Sequence, residues 1–557
     1  MKAGAALPWK MIPHSTEISD EFLAQLKDDL VCRRVAQGFV RLQKHHHLLS
    51  SFNPKTRNAA LFADYLAQWV DVGFERPALV REIVARFSRD ARLHLPLREY
   101  LHLRMAEGMV AMAGESTEEA IHHFEFVLGL EQEIDDHELL SIANFWKGRC
   151  LRAKGEYDQA LTFAVKGRDL ALKRGHPPMA AVMQVLESWL LFQKGKVAEA
   201  VQILRATEAI LSDTNDYITL GNIHSSYGRI ARRQGRYQHA IDSFTTAIEL
   251  FRKLDPQHRN VARSLNNMAY VKRLIALQLR GKIDSDAARH RKAAARGATP
   301  RGKGKLSYRV RFEKLHLEAL SELNDARTIY EGYGNHHGLG SVHLNYGYLH
   351  LDSGDLDNAE KEAEAAFRLA EVRQDHILMA RGRLLRCMIE NVRSEEGIGE
   401  NNEPGSHARL GQDFAQEATE LAKRTQNRRL LADAYLWQGL TYSNRFFGDL
   451  ELARDCYDQA VTLSKGIHAE DAWEDLQRLK SRVLRGGKVN PMLRAWSQGS
   501  VGGKSFQQIS EEFAELIIPK VWEREGRKIS RVAACLSISP KKVRRILGRV
   551  GQRSSSK

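Results

Sequence analysis

Small and apolar side chains return along this chain at a fixed interval. The motif A-[I/L/V]-x-x-[F/L/A]-x-x-[small] begins at Ala120, Ala160, Ala200 and Ala240, 40 residues apart. It recurs at Ala319 (one period plus 39 residues) and at Ala359 after 40; Gly411 takes its place after 52 and Ala453 after 42. Four positions further along each copy stand Phe124, Ala164, Leu204, Phe244, Leu323, Ala363, Ala415 and Tyr457, and three beyond those Val127, Gly167, Thr207, Ala247, Ala326, Ala366, Ala418 and Ala460. Spacings of four and three lie on one stripe of a helix. A second marker precedes the first by twelve positions: Gly108, Gly148, Ser188, Gly228 and Gly347, with Gly439 after a two-residue insertion and larger residues at Met268 and Cys387. Between the two, five positions before the motif, Gly155, Gly195, Gly235, Gly354 and Gly448 suit a turn that needs positive φ.

Each period therefore predicts two helices with a tight turn between them. Such a unit cannot bury its apolar face alone, so neighbours must stack. The expected fold is all-α: about eight helix pairs over 97–486 in a right-handed solenoid, preceded by a helical region over 1–96 with a degenerate repeat at 59–90. A capping helix is expected at 468–486. Two insertions break the frame. Residues 281–306 are basic and poor in large apolar groups, so they should be disordered or only partly helical, dividing a helix at 261–280 from its partner at 312–332. Residues 394–406 read as a surface loop, and 487–505 as a linker.

The small–turn–aromatic–alanine skeleton of Gly148, Gly155, Tyr157 and Ala160, repeated by Gly228, Gly235, Tyr237, Ala240, Phe244 and Ala247, resembles the tetratricopeptide repeat. The resemblance covers roughly 97–465. It implies a concave groove that holds a protein or peptide partner. The period of 40 exceeds the usual ~34 residues, which implies longer helices. Tyr157, Tyr237, Phe244 and Tyr457 read as repeat core.

Charge is segregated. Residues 281–311 carry ten Lys/Arg and two Asp, and residues 520–557 carry twelve Lys/Arg and two Glu. These segments hold +18 of a total of +15, so the rest of the chain sums to −3. A short cationic segment on a near-neutral body points to a polyanion.

Residues 506–557 form the second expected domain. Phe506, Ile509, Phe513, Ile517 and Val521 recur at helical spacing. Val532, Ala533 and Leu536 then make the inner face of a short helix, Ser537–Ser539 a turn, and Val543, Ile546 and Leu547 the inner face of a second helix. Ser539 suits the N-cap and Pro540 the first helical position. Lys541, Lys542, Arg544, Arg545 and Arg549 point outward. From Arg531 to Leu547 the pattern is similar to the Fis-type helix-turn-helix, carried by Arg531, Ala533, Leu536, Ile538, Val543, Arg544 and Leu547. The family's turn glycine is Ser537 here, and Pro540–Lys541–Lys542 replaces its polar first turn.

The resemblance implies DNA binding and transcriptional control. By position, Lys541, Lys542 and Arg545 are candidates for base edges, while Arg531, Arg544 and Arg549 are candidates for phosphates, with Ser539 at the helix start. A lone module of this size buries little surface, so a homodimer, or tandem copies held by partners, is expected. The 281–311 segment is a candidate auxiliary phosphate-binding arm.

Other chemistry finds little footing. His45–His47 and His122–His123 lack an acidic or thiol constellation, so no metal is expected. Gly499–Ser505 is one residue short of a phosphate loop and follows no strand. No hydrolase or metalloprotease motif occurs, which predicts a non-enzyme without a cofactor. Five scattered cysteines without C-x-x-C spacing, the absence of an 18-residue apolar run and a very short apolar stretch in Met1–Lys10 predict a cytoplasmic protein that avoids membranes. The leading expectation is a regulator of bacterial type, with a groove for a protein or peptide and a tail on DNA. The alternative is an interaction scaffold whose basic tail has no specific DNA target or contacts RNA.

Overall fold

The repeat motif and its small-residue markers define where helices begin, where they touch and where they end. The computed structural model describes residues 17–294, 304–397, 405–465, 472–485 and 502–554, with Met492 and Trp496. The chain is all-α, with no strand among the described residues. It divides into two compact units, residues 1–448 with 452–480, and residues 481–557 with 449–451.

The first unit opens with α1 (Asp20–Val31), α2 (Val35–Lys44), α3 (His47–Ser50), α4 (Ala59–Asp71), α5 (Pro77–Ala85) and α6 (Arg89–Leu93). Eight helix pairs follow among the described residues. They are α7 (Leu97–Ala113) with α8 (Thr117–Gly129), α9 (His137–Lys154) with α10 (Tyr157–Lys173), α11 (Pro177–Gln193) with α12 (Val197–Leu211), and α13 (Tyr217–Arg233) with α14 (Tyr237–Arg252). Then come α15 (Arg259–Ala294) with α16 (Gly304–Tyr333), α17 (His336–Ser353) with α18 (Leu356–Glu371), α19 (His376–Glu396) with α20 (Ser406–Lys423), and α21 (Arg428–Tyr442) with α22 (Leu450–Ser464). Helix α23 (Trp473–Arg485) occupies the expected capping position.

Every motif alanine, from Ala120 to Ala453, is 0% exposed. A side chain at Gly228 would begin 2.8 Å from the Phe244 ring, which is why the marker must be small where the paired helices cross. Gly155 turns the chain at φ +87°. Starts are capped by short side chains: Asp136, Asp216, Asn335, Asp375 and Asn427 accept from the backbone amide three residues on.

The described parts of the basic insertion are helical. Helix α15 runs to Ala294 and α16 starts at Gly304, beyond the expected limits of 280 and 312. The alanine-rich run Ala287–Ala288 and Ala293–Ala294 supplies helix propensity where large apolar side chains are missing. Residues 295–303 of this insertion, 398–404 of the second, and most of the linker lie outside the described residues.

The stack of pairs curves until distant repeats meet. Gln426 N donates to the Gly155 carbonyl at 2.9 Å, and Gln426 Oε1 accepts from Asp158 N at 2.7 Å. The Glu115 carboxylate, between α7 and α8, accepts from His336 N at 2.9 Å and His337 N at 3.2 Å at the start of α17. These contacts enclose a space along the inner surface.

The second unit contains α24 (Phe506–Arg524), α25 (Ile529–Cys535) and α26 (Pro540–Ser554). Their core is Ile518, Val521, Val532, Ala533, Val543 and Ile546. The expected stripe on α24 splits here. Ile517 and Val521 join the core, but Phe506 is 85% exposed and Phe513 48%. Helix α25 has seven residues, and the packed stretch of α24 begins only at Ala514.

Candidate functional site

The alternate helices α9, α11, α13, α15, α17, α19 and α21 turn one face toward the enclosed space, a cavity of about 1740 Å³. Its lining holds fifteen Lys/Arg against twelve Asp/Glu, so overall charge nearly balances. The balance is local at some points and absent at others.

At the mouth nearest the N-terminus, Asp71 takes Arg149 Nη1 at 2.6 Å and Arg259 Nη2 at 3.5 Å. Burial opposes the charge of Asp71, but Arg149, Arg259 and Arg33 outweigh it and hold its carboxyl below the ordinary value. Arg149 also lies 3.9 Å over the Trp146 ring. Further along, Arg273 grips Asp352, with one contact at 2.9 Å, and stacks 4.6 Å over Tyr348.

Three arginines between these pairs are different. Arg152, Arg229 and Arg263 are half-buried, and none has a carboxylate partner among the described residues. Arg152 faces the Trp189 ring at 5.3 Å. Arg229 Nη2 donates to Ser226 Oγ at 3.3 Å, and Arg263 donates to Asn222 Oδ1. The buried Nε of Arg229 and of Arg263 meet no acceptor among the described residues. Burial, then Arg149 and Arg263, pull Arg152 down to about 9; burial, then Arg263, Arg152 and Arg232, pull Arg229 well down; and burial, with Arg259 and Arg149 against an opposing Tyr330, pulls Arg263 to about 10. All three remain cationic at neutral pH. His258 beside them is pushed to about 3 by burial and by Arg259 and Arg263, so it is neutral.

Asparagines run along the same surface. Asn345 Nδ2 donates to Asn266 Oδ1 at 2.8 Å, and Asn260 Nδ2 approaches Asn222 Oδ1 at 3.5 Å. Asn266 and Asn345 each stand two positions before their repeat's second marker. The primary amide carries both donors and an acceptor, the complement of a peptide backbone.

The residues expected to meet DNA lie on the second unit. Arg531, Ser539, Lys541, Lys542 and Arg544 are exposed. Ser539 Oγ accepts from Lys542 N at 3.2 Å, so it caps α26 as expected. Arg545 and Arg549 are also on the surface, but both are held by one carboxylate of α24: Arg545 Nη2 to Glu511 Oε1 at 3.1 Å, and Arg549 Nη1 to Glu511 Oε2 at 2.7 Å. Ser537 takes φ +50° in the turn where the Fis-type pattern has glycine.

The groove arginines were missed in the sequence. Arg149 and Arg229 stand one position after the small marker, and Arg152 and Arg232 four after. In the intervening repeat those places hold Trp189 and Phe192. Cation and aromatic thus alternate at positions that carry no repeat consensus. Among the histidines, His45 packs at a tilt on Phe22 with centroids 4.4 Å apart, and His123 packs 3.3 Å from Glu107 and is pushed to about 4, chiefly by burial.

The tetratricopeptide repeat family matches residues 219–276 and again 340–372. These segments are tetratricopeptide repeats. Among solved structures, a Rap protein complexed with competence and sporulation factor is similar at a TM-score of 0.50 and 13% identity, over 72% of this chain and 98% of that one. Human IFIT1 with m7Gppp-AAAA is similar at 0.45 and 13%, over 84% and 96%. The apo quorum sensor NprR from B. thuringiensis is similar at 0.36 and 14%, over 80% and 97%. No curated protein sequence matches the chain. At these identities the likeness is one of fold, a helical solenoid. No helix among the described residues is long and apolar enough to cross a membrane.

Proposed function

We propose that this protein is a peptide-binding regulator, in which the solenoid groove holds an extended peptide and the C-terminal three-helix unit binds duplex DNA. The observation that carries the first half is the asparagine array inside the cavity. Asn222, Asn260, Asn266 and Asn345 can pair with the amides and carbonyls of a peptide whatever its side chains, while neighbouring rings and charges choose among sequences. The similar Rap structure, a complex with a competence and sporulation factor, agrees with a ligand-holding solenoid.

The second half rests on α25, the Ser537 turn and α26. A capped helix with Lys541, Lys542 and Arg544 exposed along one side has the form of a recognition helix. The Glu511 bridge to Arg545 and Arg549 favours the other reading, a scaffold without a specific DNA target, because it engages two of the cations that would read the groove.

Two experiments test the proposal. Affinity selection from a random heptapeptide pool should return a consensus with wild-type protein and a much weaker one with Asn266→Ala/Asn345→Ala. A pool with no consensus contradicts the peptide reading. Selection from random duplex DNA should return a site with the full chain and none without residues 506–557. Equal recovery from both contradicts the DNA reading.

A further inference from the structure

The proposed peptide is bounded by the chemistry of what must meet Arg152, Arg229 and Arg263. These side chains come from α9, α13 and α15 and line one cavity. At either side of them in that cavity arginines are paired with acids: Arg149 and Arg259 with Asp71, and Arg273 with Asp352. The three central guanidinium groups have only a ring, a hydroxyl and an amide oxygen as partners among the described residues. Two buried Nε donors among them have no acceptor. Holding like charges together in a half-buried place costs stability, and a buried donor without an acceptor costs more. An oxyanion would relieve both, because a planar guanidinium donates two parallel N–H bonds to it.

We propose that Arg152, Arg229 and Arg263 form the anchor for a carboxylate of the groove ligand, so that the peptide bound there carries an acidic residue or a C-terminal carboxylate at one fixed position. This rests on the peptide reading above. Phosphate offers the same oxyanion chemistry, but a nucleic-acid strand would repeat its charge along the whole groove. There it would run beside Glu115, Asp216, Asp352, Asp375 and Asp433. A single anion on an otherwise neutral backbone fits three guanidinium groups gathered at one place in the lining. The half-buried Trp189 ring, which also lines the cavity, then packs a residue beside it.

The test is heptapeptide selection on the full chain, wild type against Arg229→Gln/Arg263→Gln, with Arg373→Gln, an exposed arginine of the same cavity, as control. The wild type and Arg373→Gln should enrich Asp or Glu at one position, or a free C-terminus over an amidated one. For a selected peptide, replacing that carboxylate by an amide should weaken binding at least tenfold, and the double variant should erase this difference while leaving the preferences at other positions. A consensus without an acid, or an acid preference that survives the double variant, overturns the inference. An empty selection removes the peptide reading itself. Inorganic phosphate and a 5′-triphosphate oligoribonucleotide form the remaining arms. Competition by phosphate only at millimolar levels is expected. Oligoribonucleotide binding that is tight and lost in the double variant would reassign the cluster to phosphate. A thermal melt guards against misfolding: removing like charges from the ligand-free cluster should leave the melting temperature unchanged or raise it, and a fall would mark the arginines as structural.

Discussion

Arginine serves two regions of this molecule under opposite conditions. In the groove, Arg152, Arg229 and Arg263 are half-buried on rigid helices and repel one another. On α26, Arg544, Arg545 and Arg549 stand in solvent, two of them resting on Glu511. Water screens the second set within about 10 Å at ordinary ionic strength, so it suits a ligand with many charges and no single required one. The first set is screened little. It suits one anion in one place, and it imposes a cost on the protein whenever that anion is missing.

The largest effect expected from breaking this comparison is removal of the tail. A chain ending before residue 506 should lose duplex binding by on the order of a hundredfold or more in fluorescence anisotropy, because the exposed cations go together. Its peptide affinity should be unchanged. A parallel fall in both would mean the two regions do not act separately.

Next, Asp71→Asn should cost roughly 3 kcal/mol in chemical denaturation, since it strands Arg149 and Arg259. The pH dependence follows from the lowered carboxyl. A depressed folded pKa contributes stability above the unfolded value of about 3.9, and the contribution is lost as pH falls through the folded value. The variant should therefore lack part of the wild-type decline below about pH 4. The same substitution enlarges the uncompensated cluster, so affinity for an acidic peptide should rise while affinity for duplex stays fixed.

Arg545→Ala should weaken binding to a selected DNA site by roughly 1–3 kcal/mol if it reaches a base edge. Unchanged affinity would confine it to the Glu511 bridge. The smallest effect is expected in the turn: Ser537→Gly should stabilise the second unit by roughly 1 kcal/mol, because serine at φ +50° is strained and glycine is not. A lower midpoint would mean the turn depends on the serine side chain.

What could be read from the sequence divides along the same line. The solenoid was legible because helix crossing demands small volume at fixed places: Ala160 beneath its neighbours, Gly228 against Phe244. Volume repeats, and so it shows as a period. The packing of α25 on α26 was legible for the same reason, through Val532, Val543 and Ile546. The inner groove was not. Positions one and four past the small marker line the cavity and tolerate different side chains, so Arg152, Trp189 and Arg232 form no visible pattern. The Glu511 bridge was hidden as well, since it joins residues 34 and 38 apart that no periodicity links. Helix α24 misled because Phe506 and Phe513 share the spacing of Ile517 and Val521 while nothing in the short α25 covers them. At the basic insertion only the helix ends were set too short, because alanine builds helix without needing a core.

The most direct test is the salt dependence of the two affinities measured on one preparation: selected duplex and selected acidic peptide, each titrated from 50 mM to 300 mM salt on the order of ionic strengths where screening changes fastest. The account predicts that log K for duplex falls with a slope of about −4, as expected for some four exposed cations on phosphates, while that for peptide falls with a slope no steeper than about −1. Equal slopes, or a peptide affinity that collapses with salt while duplex binding persists, would contradict it.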